Sequence, residues 1–197
     1  MWSKDMSGIV KKKLRFSEDL IKLLDKKFYS FDVETTGLNP ISDRIIEIGC
    51  CEFISFKPLK EFSTLVNAGK SIPPHVTKIN NITNEMLSSA PLEDEVYYYF
   101  CSFIKDVLEG NAVIVAHNAS FDMNFLSNTL ERLGFSGTLY YLDTLELARC
   151  YLKLSNHKQT TVAQYFNIPI GNAHRAKDDA LVCGKILVKI VNMIKNM

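Results

Sequence analysis

Two carboxylates, Asp32 and Glu34, close the run Phe28-Tyr29-Ser30-Phe31. Successive strand side chains alternate faces, so the pair projects side by side from one face at the mouth of an apolar strand. Like charges that close resist ionising together unless a cation sits between them. The pair therefore points to a divalent metal site. Thr35-Thr36-Gly37 follows at once and ends the strand in a turn.

Further acids stand where they could join this pair. Asp122 follows the apolar run 112–116 and the segment His117-Asn118-Ala119-Ser120. At helical spacing it shares a stripe with Leu126, Thr129, Leu130 and Leu133, which should face the sheet. That puts it near a strand's C-terminal edge, where open sheets build their sites. Taken alone, its first-turn position is accounted for by the helix dipole. In His174-Arg175-Ala176-Lys177-Asp178-Asp179 two aspartates compete for one role. Asp179 lines up with Cys183, Ile186, Ile190 and Ile194, an apolar stripe. Asp178 lines up with Val182, Lys185 and Lys189, a largely solvated face. Asp179 is thus expected to point inward and Asp178 outward. His174, at the start of this helix, could reach the same pocket.

Carboxylate oxygens are hard ligands that suit Mg²⁺ or Mn²⁺. Asp32, Glu34, Asp122 and Asp179 are more acids than one Mg²⁺ usually takes from protein, which implies two ions. Two ions about 4 Å apart can stabilise both the attacking and the leaving oxygen of a phosphoryl displacement. His174 is the candidate general base, because an ordinary imidazole titrates at about 6.5, near working pH.

The elements that must position these groups are legible in outline. Strands are expected at 28–33, 45–55 and 61–66, joined by short connections as an antiparallel meander. Ser71-Ile72-Pro73-Pro74 reads as an extended loop, since proline restricts its neighbours. Short helices are expected at 83–87 and 160–166, and helical spacing links Val96, Phe100, Phe103, Ile104 and Val107. A buried strand at 112–116 leads into a helix over 119–133. A short strand at 140–142 precedes Asp143-Thr144-Leu145-Glu146, which has the spacing of a capping box. A long helix runs from about 173 to 194. The pattern predicts an α/β fold, with a five-stranded mixed sheet of antiparallel meander plus parallel strands and helices on both faces.

The 197 residues suffice for one domain with a sizeable core. Residues 1–26 read as an N-terminal extension, with Ser17 capping a short helix, and 27–197 as the main domain. Lys11-Lys12-Lys13-Leu14-Arg15 is read as a solvated tail, and Trp2 has no assignable role. No apolar run approaches the roughly 20 residues of a membrane helix, so no membrane partner is expected. Five cysteines without zinc spacing suggest reduced thiols in a cytoplasmic protein. A net charge of +1 gives no global pull toward nucleic acid. Attraction for a polyanion would have to be local.

The motifs Phe31-Asp32-Val33-Glu34-Thr35-Thr36-Gly37-Leu38, His117-Asn118-Ala119-Ser120-Phe121-Asp122 and His174-Arg175-Ala176-Lys177-Asp178-Asp179-Ala180 stand in order. With them the chain resembles the DEDDh 3′–5′ exonucleases of the ribonuclease H-like fold, nearest the proofreading exonuclease (epsilon or PolC-type) of bacterial DNA polymerase III. Ile82-Thr83-Asn84-Glu85-Met86-Leu87 and Leu142-Asp143-Thr144-Leu145-Glu146-Leu147-Ala148-Arg149 add to the likeness, which covers about 28–194. The four residues between the third-motif histidine and aspartate select Asp179, as periodicity does.

The resemblance implies that Asp32, Glu34, Asp122 and Asp179 hold two divalent ions and that His174 deprotonates the attacking water. It implies release of nucleoside 5′-monophosphates from single-stranded DNA 3′ ends, in proofreading or repair, with a DNA polymerase as a possible partner. Backbone amides around Thr35, Thr36 and Gly37 would approach the terminal 3′-hydroxyl. Leu38 would pack on the last base, and Asn118 and Phe121 would line the pocket, although Phe121 equally suits core packing. Two other readings stay open. RNA could be the substrate, since 2′-hydroxyl contacts are not legible, or the chain could be a non-catalytic nucleic-acid- or polymerase-binding module.

Overall fold

The computed structural model describes residues 8–171 and 174–196. Trp2 and the expected helix start near Ala173 lie outside the described residues. Six strands form one mixed sheet: β1 (Ile9–Lys13), β2 (Phe28–Thr35), β3 (Ile45–Ile54), β4 (Lys57–Leu65), β5 (Val113–Ala116) and β6 (Gly137–Asp143). Their spatial order is β1-β6-β5-β2-β3-β4. β1, β6, β5 and β2 run parallel, and β2, β3 and β4 form the antiparallel meander.

The expected five strands become six because the basic patch is not a tail. Ile9–Lys13 pairs with Gly137–Tyr141 of β6 as a parallel edge strand. Only Ile9 of β1 is buried. Short, lysine-rich edge strands resist further pairing, and the same composition makes such a strand read as solvated coil. The segment after it is also part of the fold. Helix α1 (Glu18–Lys26) is capped by Ser17, whose hydroxyl accepts from the Leu20 amide at 3.2 Å. Leu20 and Leu24 join the core.

Strand alternation splits that core into two layers. Tyr29, Phe31 and Val33 face one side of the sheet. Helices α4 (Glu93–Phe103), α5 (Lys105–Leu108) and α6 (Ala119–Arg132) cover it through residues such as Phe100, Val107 and Leu126. Phe28, Phe53 and Val115 face the other side. There α7 (Thr144–Tyr151), α8 (Gln159–Tyr165) and α9 (Ala176–Lys195) pack with α1. α9 buries Cys183, Ile186 and Ile190, as its spacing predicts. Val182 is buried too, so the solvated face of α9 is narrower than expected.

One helix was not expected. The segment read as an extended loop at Pro73-Pro74 opens α2 (Pro74–Asn80), with proline in its first turn. Proline is well tolerated there, because its missing amide is one the helix leaves unpaired anyway. α3 (Asn84–Ser88) follows, capped by Thr83. Among the described residues no helix is long and apolar enough to cross a membrane.

Candidate active site

The four parallel strands end on one edge, at Lys13, Asp143, Ala116 and Thr35. The site lies where β2 and β5 part. β5 accompanies β2 only as far as Ser30, and the backbone of Val33 hydrogen-bonds Asp122 beyond that point. Asp122, in the first turn of α6, is buried. It thus reaches the end of β2 from the helix layer opposite α9.

Asp32 and Glu34 share a face of β2 with Phe28 and Ser30, the face that α9 covers. Gly49 sits opposite Asp32 in the β2–β3 ladder. A Cβ on Gly49 would fall 2.0 Å from the carbonyl oxygen of Ala176. Only glycine lets the first turn of α9 lie against the sheet here, which carries Asp179 over the acidic pair. A register shift between Glu34 and Thr35 marks a bulge beside Glu34. Bulges of this kind re-aim side chains next to functional sites.

Ligand atoms of Glu34, His174 and Asp179 all lie within 4.8 Å of one another, the one such group among the described residues. His174 is exposed and adopts a left-handed backbone (φ 64°). Its amide donates to Asp179 Oδ2 at 2.9 Å. Asp179 also accepts from Gln159 Nε2 at 3.2 Å. Asp178 stands apart from this group, with its carboxylate against Gly171. It is half-buried rather than fully outward.

The electrostatics are those of crowded acids. Burial pushes the carboxyl of Asp32 well above the usual range, and the charges of Asp122, Asp179, Glu34 and Glu47 push it further. Burial also raises Asp122 strongly, against hydrogen bonds from its own backbone and that of Val33. Glu34 is pushed up to about 7, mainly by burial, with Glu47 and Asp179 adding and Asn80 and Arg175 opposing. Asp179 is raised by burial against the His174 amide, the His174 charge and Gln159. No lysine or arginine among the described residues pairs with Asp32 or Asp122. Protons or a hard divalent cation must neutralise such a set, so the donor set fits a divalent metal.

Three supporting residues meet the site through partners distant in the sequence. Asn80 is buried, and its Nδ2 donates to Glu34 Oε2 at 3.2 Å while its Oδ1 accepts from the Ile82 amide at 3.0 Å. Glu47 is buried and cross-strand from Glu34. Its carboxylate accepts from Arg175 Nε and Nη2 at 3.0 and 2.7 Å, and from the Ala176 amide at 3.0 Å. Glu47 therefore caps α9. Gln159, the first residue of α8, is the third. Its sequence separation from Asp179, like that of Glu47 from Arg175, hides the pairing. A lone acid in the apolar run Ile45-Ile46-Glu47-Ile48 was the available clue to Glu47.

The turn after β2 is closely tied. The Thr36 amide donates to Arg44 O at 2.9 Å, and its hydroxyl accepts from the Arg44 amide at 3.1 Å. The amide expected to meet a substrate is thus spent on the loop. Thr35 Oγ1 donates to Gly37 O at 2.6 Å. A Cβ on Gly37 would meet the Asp43 carboxylate at 2.4 Å, so a larger residue here would displace that side chain. Leu38 is 84% exposed beside it. Asn118, also left-handed (φ 67°), is exposed, and Phe121 is half-buried against Phe125. Asp143 caps α7 through the Leu145 amide at 2.9 Å and also holds the Asn118 amide at 3.0 Å. Glu146 pairs with Lys13 instead of completing a capping box.

Fold and site together define a ribonuclease H-like α/β domain with an acidic centre at the ends of its parallel strands. The chain belongs to the exonuclease family RNase_T, whose profile matches residues 30–187. It is 38% identical over 175 residues to the DNA polymerase III PolC-type of Caldanaerobacter subterraneus subsp. tengcongensis, covering 88% of this chain and 12% of that protein. It is 38% identical to the DNA polymerase III subunit epsilon of Treponema pallidum, covering 83% and 76%. The chain thus spans only about an eighth of the PolC-type relatives it matches. Among solved structures, Exonuclease X in complex with 5′ overhanging duplex DNA superposes with a TM-score of 0.65 at 26% identity, covering 84% of this chain and 92% of that one. E. coli Exonuclease I in complex with a dA16 oligonucleotide reaches 0.72 at 17% identity, covering 85% and 41%, a likeness of fold alone.

Proposed function

We propose that this chain is a metal-dependent 3′–5′ exonuclease that removes nucleoside 5′-monophosphates from single-stranded DNA ends, in proofreading or repair. The observation that carries the reading is the convergence of Glu34, His174 and Asp179 within 4.8 Å, with Asp32 in electrostatic reach of Asp122, Asp179 and Glu34. The similarity to PolC-type and epsilon polymerase III proteins supports DNA as substrate and a DNA polymerase as partner. The five unpaired thiols fit the cytoplasm.

In this reading Asp32, Glu34, Asp122 and Asp179 hold two divalent ions, Mg²⁺ or Mn²⁺. Such ions supply positive charge that offsets the charge developing on the phosphoryl oxygens. His174 accepts a proton from the attacking water. The water oxygen bonds to the terminal phosphorus as the bond to the preceding O3′ breaks, and that oxygen takes a proton from solvent. The chain is left one nucleotide shorter with a 3′-hydroxyl. Thr35 and Gly37 bring backbone near the terminal sugar, while Thr36 shapes the turn. Leu38 meets the last base, and Asn118 and Phe121 border it.

Incubating 5′-labelled DNA and RNA oligonucleotides with Mg²⁺, Mn²⁺ or EDTA tests the proposal. The expected result is metal-dependent stepwise shortening of DNA. Shortening of RNA alone would make the chain an RNA trimmer. Binding without shortening of either would make it a non-catalytic module.

A further inference from the structure

Beside the acidic centre lies an open groove lined by His117, Asn118, Arg149, Asn156, His157 and Lys158. Its walls are tied to the site from two directions. His117 opens the β5-to-α6 connection that leads to Asp122, and its Nε2 lies 2.8 Å from His157 O. Gln159, next to Lys158, bonds both the backbone and the carboxylate of Asp179. The loop 156–158 is therefore clamped between the segment before Asp122 and the segment carrying Asp179. Within the loop, Asn156 Oδ1 accepts from the Lys158 amide and the Thr161 hydroxyl at 3.1 and 2.7 Å, which leaves its amide nitrogen as a donor.

The groove's charge is of one sign. Arg149 and Lys158 are exposed, and neither forms an ion pair among the described residues. Burial lowers the His117 pKa and so disfavours its charged form. Its Nε2 faces His157 O, and its Nδ1 lies 2.9 Å from the Thr144 hydroxyl. Asp143, the acid that acts on His117, is buried, with one oxygen held by two amides. Glu146 turns to the other side of α7, where it pairs with Lys13. Lys13, Lys70 and Arg175 on this edge are spent on acids, whereas these two are not.

We infer that this groove binds a backbone phosphate of the single strand behind the terminal nucleotide, through Arg149 and Lys158 with Asn156 as a neutral donor. The direction in which the strand enters rests on the exonuclease reading. The groove supplies the local attraction that a net charge of +1 does not. Contacts to phosphate carry no base preference, which suits sequence-independent trimming.

The test is binding of fluorescent oligothymidylate in EDTA across a salt series, with hydrolysis of a p-nitrophenyl ester of thymidine 5′-monophosphate in Mg²⁺ as a second readout. The ester carries no second phosphate behind the terminal nucleotide to occupy the groove. R149A/K158A should weaken oligonucleotide binding on the order of tenfold and reduce the log–log salt slope by about 0.7, the value for one single-strand phosphate contact. Its ester hydrolysis should match the parent. The charge-conserving R149K/K158R should bind like the parent. Unchanged affinity and slope in R149A/K158A would overturn the groove assignment. If the parent binds through the groove yet cleaves neither substrate, the groove stands and the exonuclease reading falls.

Discussion

Gly49 and Ala176 touch backbone to backbone, so closely that a methyl on Gly49 would overlap the Ala176 carbonyl at 2.0 Å. Because Gly49 is paired with Asp32, this contact sets how near Asp179 comes to the β2 acids. Gly49→Ala should lift the start of α9. Overpacking of this kind costs about 1–3 kcal/mol, and a displacement near 1 Å can cost about a hundredfold in rate. Thermal unfolding and oligonucleotide cleavage of the variant measure the two effects. A fully active, equally stable Gly49→Ala would show that the contact does not position α9.

Glu47 does the complementary task from β3, by holding Arg175 and the Ala176 amide. Glu47→Ala leaves both donors without their acceptor. Loss of a charged hydrogen-bond partner costs about 1.5–3 kcal/mol, so unfolding should occur at lower denaturant concentration. Glu47→Gln keeps the shape and should recover part of the loss. Metal binding should weaken in step, because Asp179 rides on the same helix. Equal stability in all three proteins would contradict the capping role.

The sequence carried the acids better than their supports. Asp32, Glu34 and Asp179 were legible because strand alternation and helical periodicity are local rules. The choice of Asp179 over Asp178 follows from the stripe of Cys183, Ile186 and Ile190, which the structure buries. Glu47–Arg175 and Asn80–Glu34 were not legible, since each joins residues far apart in the chain through side chains with no periodic signature. Composition does not separate β1 and α2 from their alternatives. Lysines mark a solvated coil and an edge strand alike, and Pro73-Pro74 can extend a loop or open a helix.

Asp179→Asn should abolish cleavage, whereas Asp178→Asn should leave most of it, because Asp178 stands apart from the group of Glu34, His174 and Asp179. Both variants are compared by circular dichroism before the assay. The reverse ranking would show that Asp178 is the functional acid.

His174→Ala should lower the chemical rate by about 10²–10⁴-fold, the range for a positioned general base, with Mn²⁺ affinity by calorimetry nearly intact. The imidazole also lies within 4.8 Å of Glu34 and Asp179 ligand atoms. A large loss of Mn²⁺ affinity would therefore make it a ligand rather than a base.

The raised carboxyl of Glu34, at about 7 against an ordinary 4.5, has a definite sign. The folded metal-free protein holds this proton more tightly than the unfolded chain does. Its contribution to stability is complete below pH 4.5 and is lost as pH rises through about 7. Asp32, Asp122 and Asp179, raised in the same sense, act together with it. In EDTA the melting temperature should fall across this window, and Mg²⁺ or Mn²⁺ should restore it at the alkaline end. Glu34→Gln should flatten the fall. A metal-free melting temperature that rises steadily from pH 4.5 to 8 would contradict the crowded-acid account.

The central claim is that the acids at the end of β2, with His174 and Asp179, hydrolyse a 3′-terminal phosphodiester. Its most direct test is gel analysis of a 5′-labelled single-stranded DNA oligonucleotide incubated with the protein in Mg²⁺, alongside EDTA and Asp179→Asn controls. The account predicts a ladder that shortens one nucleotide at a time from the 3′ end, releases 5′-monophosphates, and is absent from both controls. Intact oligonucleotide in Mg²⁺ and Mn²⁺, or an unchanged ladder with Asp179→Asn, would contradict it.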